Sequence, residues 1–138
     1  MVVYGASGHG KVIIEILEQM GVDDITVWGD NPEASLWDYP SGLPAAAESV
    51  NGGMVIAIGN NRIRKMIAQR YTGKLNFVAA IHPGTQISKR AMIGDGTVVM
   101  AGVLINADST IGQHCIINTG CTIDHDCVIG DYAHISPN

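Results

Sequence analysis

Hydrophobic positions along the chain follow two different periods, and the change falls near Ile81. Upstream of it, short apolar runs alternate with stretches of helical spacing. "MVVYG" is an apolar run stopped by glycine, and "DITVWGD" and "MVIAIGN" repeat that pattern as second and third buried strands. After the first strand, "KVIIEILEQMG" puts Ile13, Ile14 and Leu17 on one helical face, with Gly21 where a C-terminal cap belongs. "NNRIRKMIAQRYTG" predicts a second helix with Ile63, Met66 and Ile67 inward and Arg62, Arg64 and Lys65 outward. "NFVAAI" closes the unit as a fourth strand. Residues 31–53, with Pro32, Pro40, Pro44 and a Gly-Gly pair, have no clear period and read as loop, with one short turn of helix at most. Strands alternating with helices imply an α/β unit over residues 1–80, a small Rossmann-like parallel βαβ domain.

From residue 81 onward the helical period vanishes and a period of six replaces it. Ile81, Ile87, Ile93, Val99, Ile105, Ile111, Ile117, Ile123, Ile129 and Ile135 are all β-branched aliphatics. Four residues after each of the first nine come Thr85, Ala91, Thr97, Val103, Ser109, Cys115, Cys121, Cys127 and Ala133, a column of small residues. One bulky and one small inward position per six residues is the signature of a hexapeptide β-helix, whose coils stack about 4.8 Å apart. Residues 81–138 are therefore an all-β second domain.

The same column explains three cysteines and three histidines at regular intervals in "IGQHCIINTGCTIDHDCVIGDYAHISPN". Cys115, Cys121 and Cys127 occupy the small inward column, where free cysteine packs as a small hydrophobe. His114, His125 and His134 fall at other phases and point outward, so they do not share a tetrahedral site with the thiols, and no metal is expected.

Composition narrows the function. The chain is 46% hydrophobic and 15% charged, which is globular, and its net charge of -5 without any basic run argues against nucleic acid or an anionic membrane as partner. No window approaches the roughly 18 apolar residues of a membrane span, and the N-terminus lacks a signal-peptide pattern, so a cytoplasmic protein is expected.

Two stretches carry candidate chemistry. "YGASGHGK" places Gly5, Gly8 and Gly10 between a strand and a helix, a turn that aims backbone N–H groups at a ligand phosphate, although its G-x-x-G-x-G spacing is not the dinucleotide fingerprint. Asp30, at the end of the second strand, suits a ribose hydroxyl. Gly59, in "AIGNN" at the end of the third, permits close approach, with Asn60 or Asn61 able to cap the next helix. Turn glycines and a surface Asp are the plain structural alternative. In the coil, Asn118, Asp124, His125, Asp126 and His134 gather within three coils. An outward His beside a carboxylate fits a general base, although a lone surface histidine in a solenoid usually does nothing more.

Taken together, "YGASGHGKV", "AIGNNRIRKMI", "IHPGTQIS" and "INTGCTIDHDCVIGDYAHISP" resemble the bacterial sugar acyltransferases that include sialic acid O-acetyltransferases and UDP-4-amino-sugar N-acetyltransferases. The resemblance implies a nucleotide-sugar-binding first domain, followed by a left-handed parallel β-helix that forms a homotrimer and holds acetyl-CoA between neighbouring copies. It implies His125 as catalytic base, Asp126 as the acidic neighbour that increases its basicity, and Asn118 as an active-site asparagine. His134 would contact acetyl-CoA, and Ser7, Gly8, His9, Asp30 and Gly59 would hold the nucleotide sugar. Some relatives have glutamate at the Asp126 position and a second acidic residue at Gly29. Such proteins continue with further coils, so a chain ending at Asn138 in mid-repeat is expected to be a fragment. The expected activity is acetyl transfer to a sugar amine or hydroxyl in surface polysaccharide or glycan synthesis. The alternative from another class is a non-catalytic nucleotide-sugar-binding or trimerising module, which has no need of His125 and Asp126.

Overall fold

A computed structural model describes residues 1–31, 34–42 and 52–138. The first unit contains β1 (Val2–Tyr4), α1 (Gly8–Gln19), β2 (Thr26–Trp28), β3 (Ser35–Leu36), β4 (Tyr39–Gly42), β5 (Met54–Ile56) and α2 (Asn61–Tyr71). Its sheet runs in the order β3-β4-β2-β1-β5, and β1 pairs in parallel with both β2 and β5. In that register Tyr4 stands level with Trp28 and Ile56, so the segments leaving all three strands emerge side by side at one carboxyl edge. α1 ends as the sequence predicts: Gly21 adopts φ +80°, and the amides of Gly21 and Val22 reach back to the carbonyls of Glu18 and Leu17.

Three expectations need correction. Residues 35–42 are not loop, because β3 and β4 form an antiparallel hairpin that joins the sheet through β2. Pro32 and Pro44 lie outside the described residues. The "NFVAAI" strand does not close the α/β sheet: Phe77 makes a single parallel bridge to Met54, and Ala80–Ile81 opens the coil instead. Finally, α2 is turned about its axis relative to its reading. Arg64, Ile67, Ala68 and Tyr71 are its buried residues, while Ile63 and Met66 are 48% and 60% exposed. The reason lies outside the helix, since the coil offers backbone carbonyls that only a long cation can fill.

The coil is built from β6 (Ala80–Ile81), β7 (Gln86–Ile87), β8 (Met92–Ile93), β9 (Val98–Val99), β10 (Leu104–Ile105), β11 (Thr110–Ile111), β12 (Ile116–Ile117), β13 (Thr122–Ile123), β14 (Val128–Ile129) and β15 (His134–Ile135). They form three parallel sheets, β15-β12-β9-β6, β13-β10-β7 and β14-β11-β8, in which each residue pairs with the one eighteen positions on. Both columns read from the sequence face inward: Val99, Ile105, Ile111, Ile117 and Ile123 pack with Val103, Cys115 and Cys121 in one cluster. The corners repeat as strictly. Gly96, Gly102, Asp108, His114, Gly120, Asp126, Tyr132 and Asn138, six apart, all have φ between 53° and 71°. That left-handed conformation is cheap only for glycine and tolerable for Asn and Asp.

The two units share a core. Ala80, Val98 and Ile116 form the outer face of one coil sheet, and they cluster with Ile13, Ile14, Ile16 and Leu17 of α1 and with Val3, Val27 and Val55 of the α/β sheet. α1 and one face of the α/β sheet thus share their core with the coil.

Candidate active site

His125 stands at a coil corner held by several hydrogen bonds. Asp124 accepts the amide of His125 at 2.8 Å and the Asn106 side-chain amide at 3.1 Å, which holds its carboxyl below the usual range. Its own carbonyl accepts the Ser109 hydroxyl at 2.7 Å, and the Asp126 amide donates to the Ala107 carbonyl. With Asp126 held at φ 58°, its carboxylate swings beside the preceding imidazole. His125 Nδ1 lies 2.6 Å from Asp126 Oδ2, and the two side chains are 69% and 74% exposed. The hydrogen bond to Asp126, and after it the charge of Asp124, raises the His125 pKa above its ordinary value. Donation from Nδ1 leaves Nε2 free in solvent, the arrangement of a base awaiting a substrate proton.

A second group lies along another edge of the coil. Asn118 Nδ2 is 3.1 Å from His134 Nε2, and the Asn118 side-chain Oδ1 accepts the Thr119 amide. Burial, reinforced by the charges of His134 and Arg64, lowers the pKa of His9, in the glycine turn. The resulting value is about 4, and His9 is neutral. Its Nε2 is buried without a partner.

The nucleotide-binding candidates line the shared carboxyl edge. Ser7 caps α1 without a side-chain bond, Gly8 is open, and a Cβ on Gly10 would collide with the Gly5 carbonyl and with Leu36. Asp30 follows β2, where Tyr4 donates its hydroxyl to Oδ1 at 3.0 Å, leaving the second oxygen for a ligand. Burial, reinforced by Asp30, pushes the Tyr4 phenol up to about 12. Gly59 follows β5, and Asn60 accepts the Ile63 amide as N-cap of α2. Thus Ser7, Gly8, His9, Asp30 and Gly59 share one edge. His125 and Asp126 occupy a different corner, between β13 and β14, whereas Asn118 follows β12.

Sequence reasoning missed Arg64 and misplaced His114. Arg64 is 1% exposed and spends every donor on the seam between the units. Its Nε donates to the His114 carbonyl and its Nη1 to those of Ile58 and Gly59. Its Nη2 donates to Asn61 Oδ1 and to the Tyr132 carbonyl, with Ala133 at 3.4 Å. The signal was available in the helical spacing, because 64, 67, 68 and 71 form one face. His114 points away from the coil axis but not into solvent: its ring lies edge-on to Phe77 and stacked on Tyr132.

Comparison with known proteins places this geometry. Residues 1–71 match the family described as PglD N-terminal domain, and residues 108–138 match the bacterial transferase hexapeptide, six repeats. An α/β unit followed by a left-handed hexapeptide coil defines the class of two-part hexapeptide transferases. Within that class, the chain belongs to the bacterial sugar acetyltransferase family marked by the PglD N-terminal domain. It is 40% identical over 108 residues to UDP-N-acetylbacillosamine N-acetyltransferase of Bacillus subtilis (strain 168), covering 72% of this chain and 50% of that protein. It superimposes on PerB from Caulobacter crescentus, solved with CoA and GDP-perosamine, at a TM-score of 0.90 and 37% identity, covering 99% of this chain and 68% of that one. The acetyltransferase domain of PglB from Neisseria gonorrhoeae FA1090, solved with acetyl coenzyme A, gives 0.91 at 35% identity, covering 99% and 69%. The chain thus spans half the length of the curated relative and about two thirds of the solved ones. Among the described residues, no helix is long and apolar enough to cross a membrane.

Proposed function

We propose that this protein transfers an acetyl group from acetyl-CoA to the amine of a nucleotide-linked amino sugar, as a step in glycan synthesis. The observation that carries the reading is the exposed His125–Asp126 pair at 2.6 Å, with Nε2 unencumbered and the basicity of the ring raised. Relatives named as sugar N-acetyltransferases favour an amine over a hydroxyl. Residues 1–80 would grip the nucleotide sugar through Ser7, Gly8, His9, Asp30 and Gly59, and residues 81–138 would carry the transfer.

His125 Nε2 takes a proton from the acceptor nitrogen as that nitrogen attacks the acetyl carbonyl, and the carbon–sulfur bond breaks to release coenzyme A as a thiol. The proton held by His125 is then available to the leaving sulfur. Asp126 fixes the tautomer and stabilises the imidazolium. Cys115, Cys121 and Cys127 line the coil interior, and burial raises the Cys115 and Cys121 thiols, so none serves as a nucleophile in this scheme. Asn118 and His134 would hold the thioester end of acetyl-CoA. Because they lie at a different corner from His125, a homotrimer that sets one copy's His125 corner against the next copy's His134 edge would complete the site.

The test is coenzyme A thiol release by the full-length protein, with a UDP-4-amino sugar, GDP-perosamine and a free sialic acid as acceptors. The expected result is release with an amino sugar alone and a loss of about 10² to 10⁴ in turnover for His125→Ala. Trimeric protein that binds nucleotide sugar yet releases no thiol with any acceptor would make it a binding module instead.

A further inference from the structure

Arg64 is a buried cation without a carboxylate among its partners. Its five N–H donors are all used, on oxygens from three segments far apart in sequence: the Ile58–Asn61 loop, the corner at His114, and the corner at Tyr132 and Ala133. The first segment contains Gly59, on the nucleotide-sugar edge, and the last runs directly into His134, 3.1 Å from Asn118. A planar fork with fixed donor directions sets distances between such segments in a way that a flexible ammonium does not. α1 packs on Ala80, Val98 and Ile116, and at the neighbouring corner Arg64 adds directional bonds to the apolar contacts of Tyr132.

We infer that Arg64 is a positioning residue for acetyl transfer: it sets the acceptor-holding loop at a fixed distance from the corner that carries His134, so that amine and thioester meet in register. The inference rests on the acetyltransferase reading above. Reacting atoms must approach to about 3–3.5 Å, and a displacement of about 1 Å far from the chemistry costs on the order of 10²-fold in rate. The role is therefore visible in turnover and not in the affinity of either substrate alone.

Arg64→Lys in the full-length protein keeps the charge and removes the fork. The expected result is a fall of about 10- to 100-fold in kcat, with the dissociation constants for acetyl-CoA and for the nucleotide sugar, each measured alone by calorimetry, within about threefold of wild type. Arg64→Ala should regain turnover when guanidinium is added at low millimolar concentration, which a purely structural loss does not do. Unchanged kcat in Arg64→Lys, or a fall matched by lost binding of either single substrate, overturns the assignment. Amide hydrogen exchange separates this failure from failure of the acetyltransferase reading itself. If wild type shows no turnover, joint loss of protection at residues 58–61 and 132–135 in Arg64→Lys upholds the brace, and unchanged protection there sinks it.

Discussion

In the coil, whether a residue faces in or out is set by its phase; in the α/β half its burial depends on what the rest of the molecule places beside it. Ile117 and Val128 are both β-branched aliphatics in two-residue strands eleven positions apart, yet Ile117 is fully buried and Val128 is 79% exposed. Phase turns Ile117 inward and Val128 outward, and Val128 stays exposed where Val98 and Ile116, at its own phase of six, are covered by α1. On α2 a comparable exercise fails: Met66 and Arg64 are two residues apart, and the cation is the buried one. A repeat array supplies its own neighbours, whereas a lone helix takes them from another part of the chain.

The strongest test of that contrast is a core truncation set against a surface one. Ile117→Ala should lower unfolding free energy by about 2–5 kcal/mol, while Val128→Ala should stay within about 0.5 kcal/mol, both read from urea denaturation. Equal losses would mean that phase does not govern burial. A smaller effect is expected at the start of α2, where Asn60→Ala removes the acceptor for the Ile63 amide and should cost about 1 kcal/mol. Smaller again is Met66→Gln, within about 0.5 kcal/mol despite the apolar residue lost. A large loss there would restore the inward reading of Met66.

Titration sharpens the comparison between the seam and the exposed corner. His9, held near 4 by burial, has a folded pKa below its ordinary 6.5, so the unfolded chain binds more protons between those values. Its contribution to stability is complete above 6.5 and declines as pH falls through about 4. The buried His114, also lowered by burial, acts in the same direction. The melting temperature should therefore drop from pH 7 to pH 5, and drop less in His9→Gln; an identical drop would remove His9 as the cause. His125 runs the other way, since its raised pKa places the acid limb of the rate profile above that of an ordinary histidine. Asp126→Asn should move that limb to lower pH while reducing the maximum, as followed by kcat/KM against pH.

Much of this molecule was legible because its grammar is local. The inward columns from Ile81 to Ile135 and the Gly21 cap follow from spacing, and so does the pairing of His125 with Asp126 as chain neighbours. What stayed hidden depended on contacts made at long range. Arg64 reaches carbonyls 50 and 68 residues away, and His114 is covered by Phe77 from another segment. The hairpin of β3 and β4 was masked by short strands with no alternation to count. Tyr4, buried in a strand, reads as core, and nothing in its spacing announces that its hydroxyl reaches Asp30.

The left-handed corners, one every six residues, have a bearing on how such a protein changes in length. One residue added within a strand would carry every later aliphatic out of the interior column and bring a corner residue in. A duplication of one full coil would preserve every contact above and below it. Between corners, then, the coil can lengthen or shorten by inheritance only in whole turns, like a ruler with a single graduation, and the height of the site above the α/β seam is drawn from that scale.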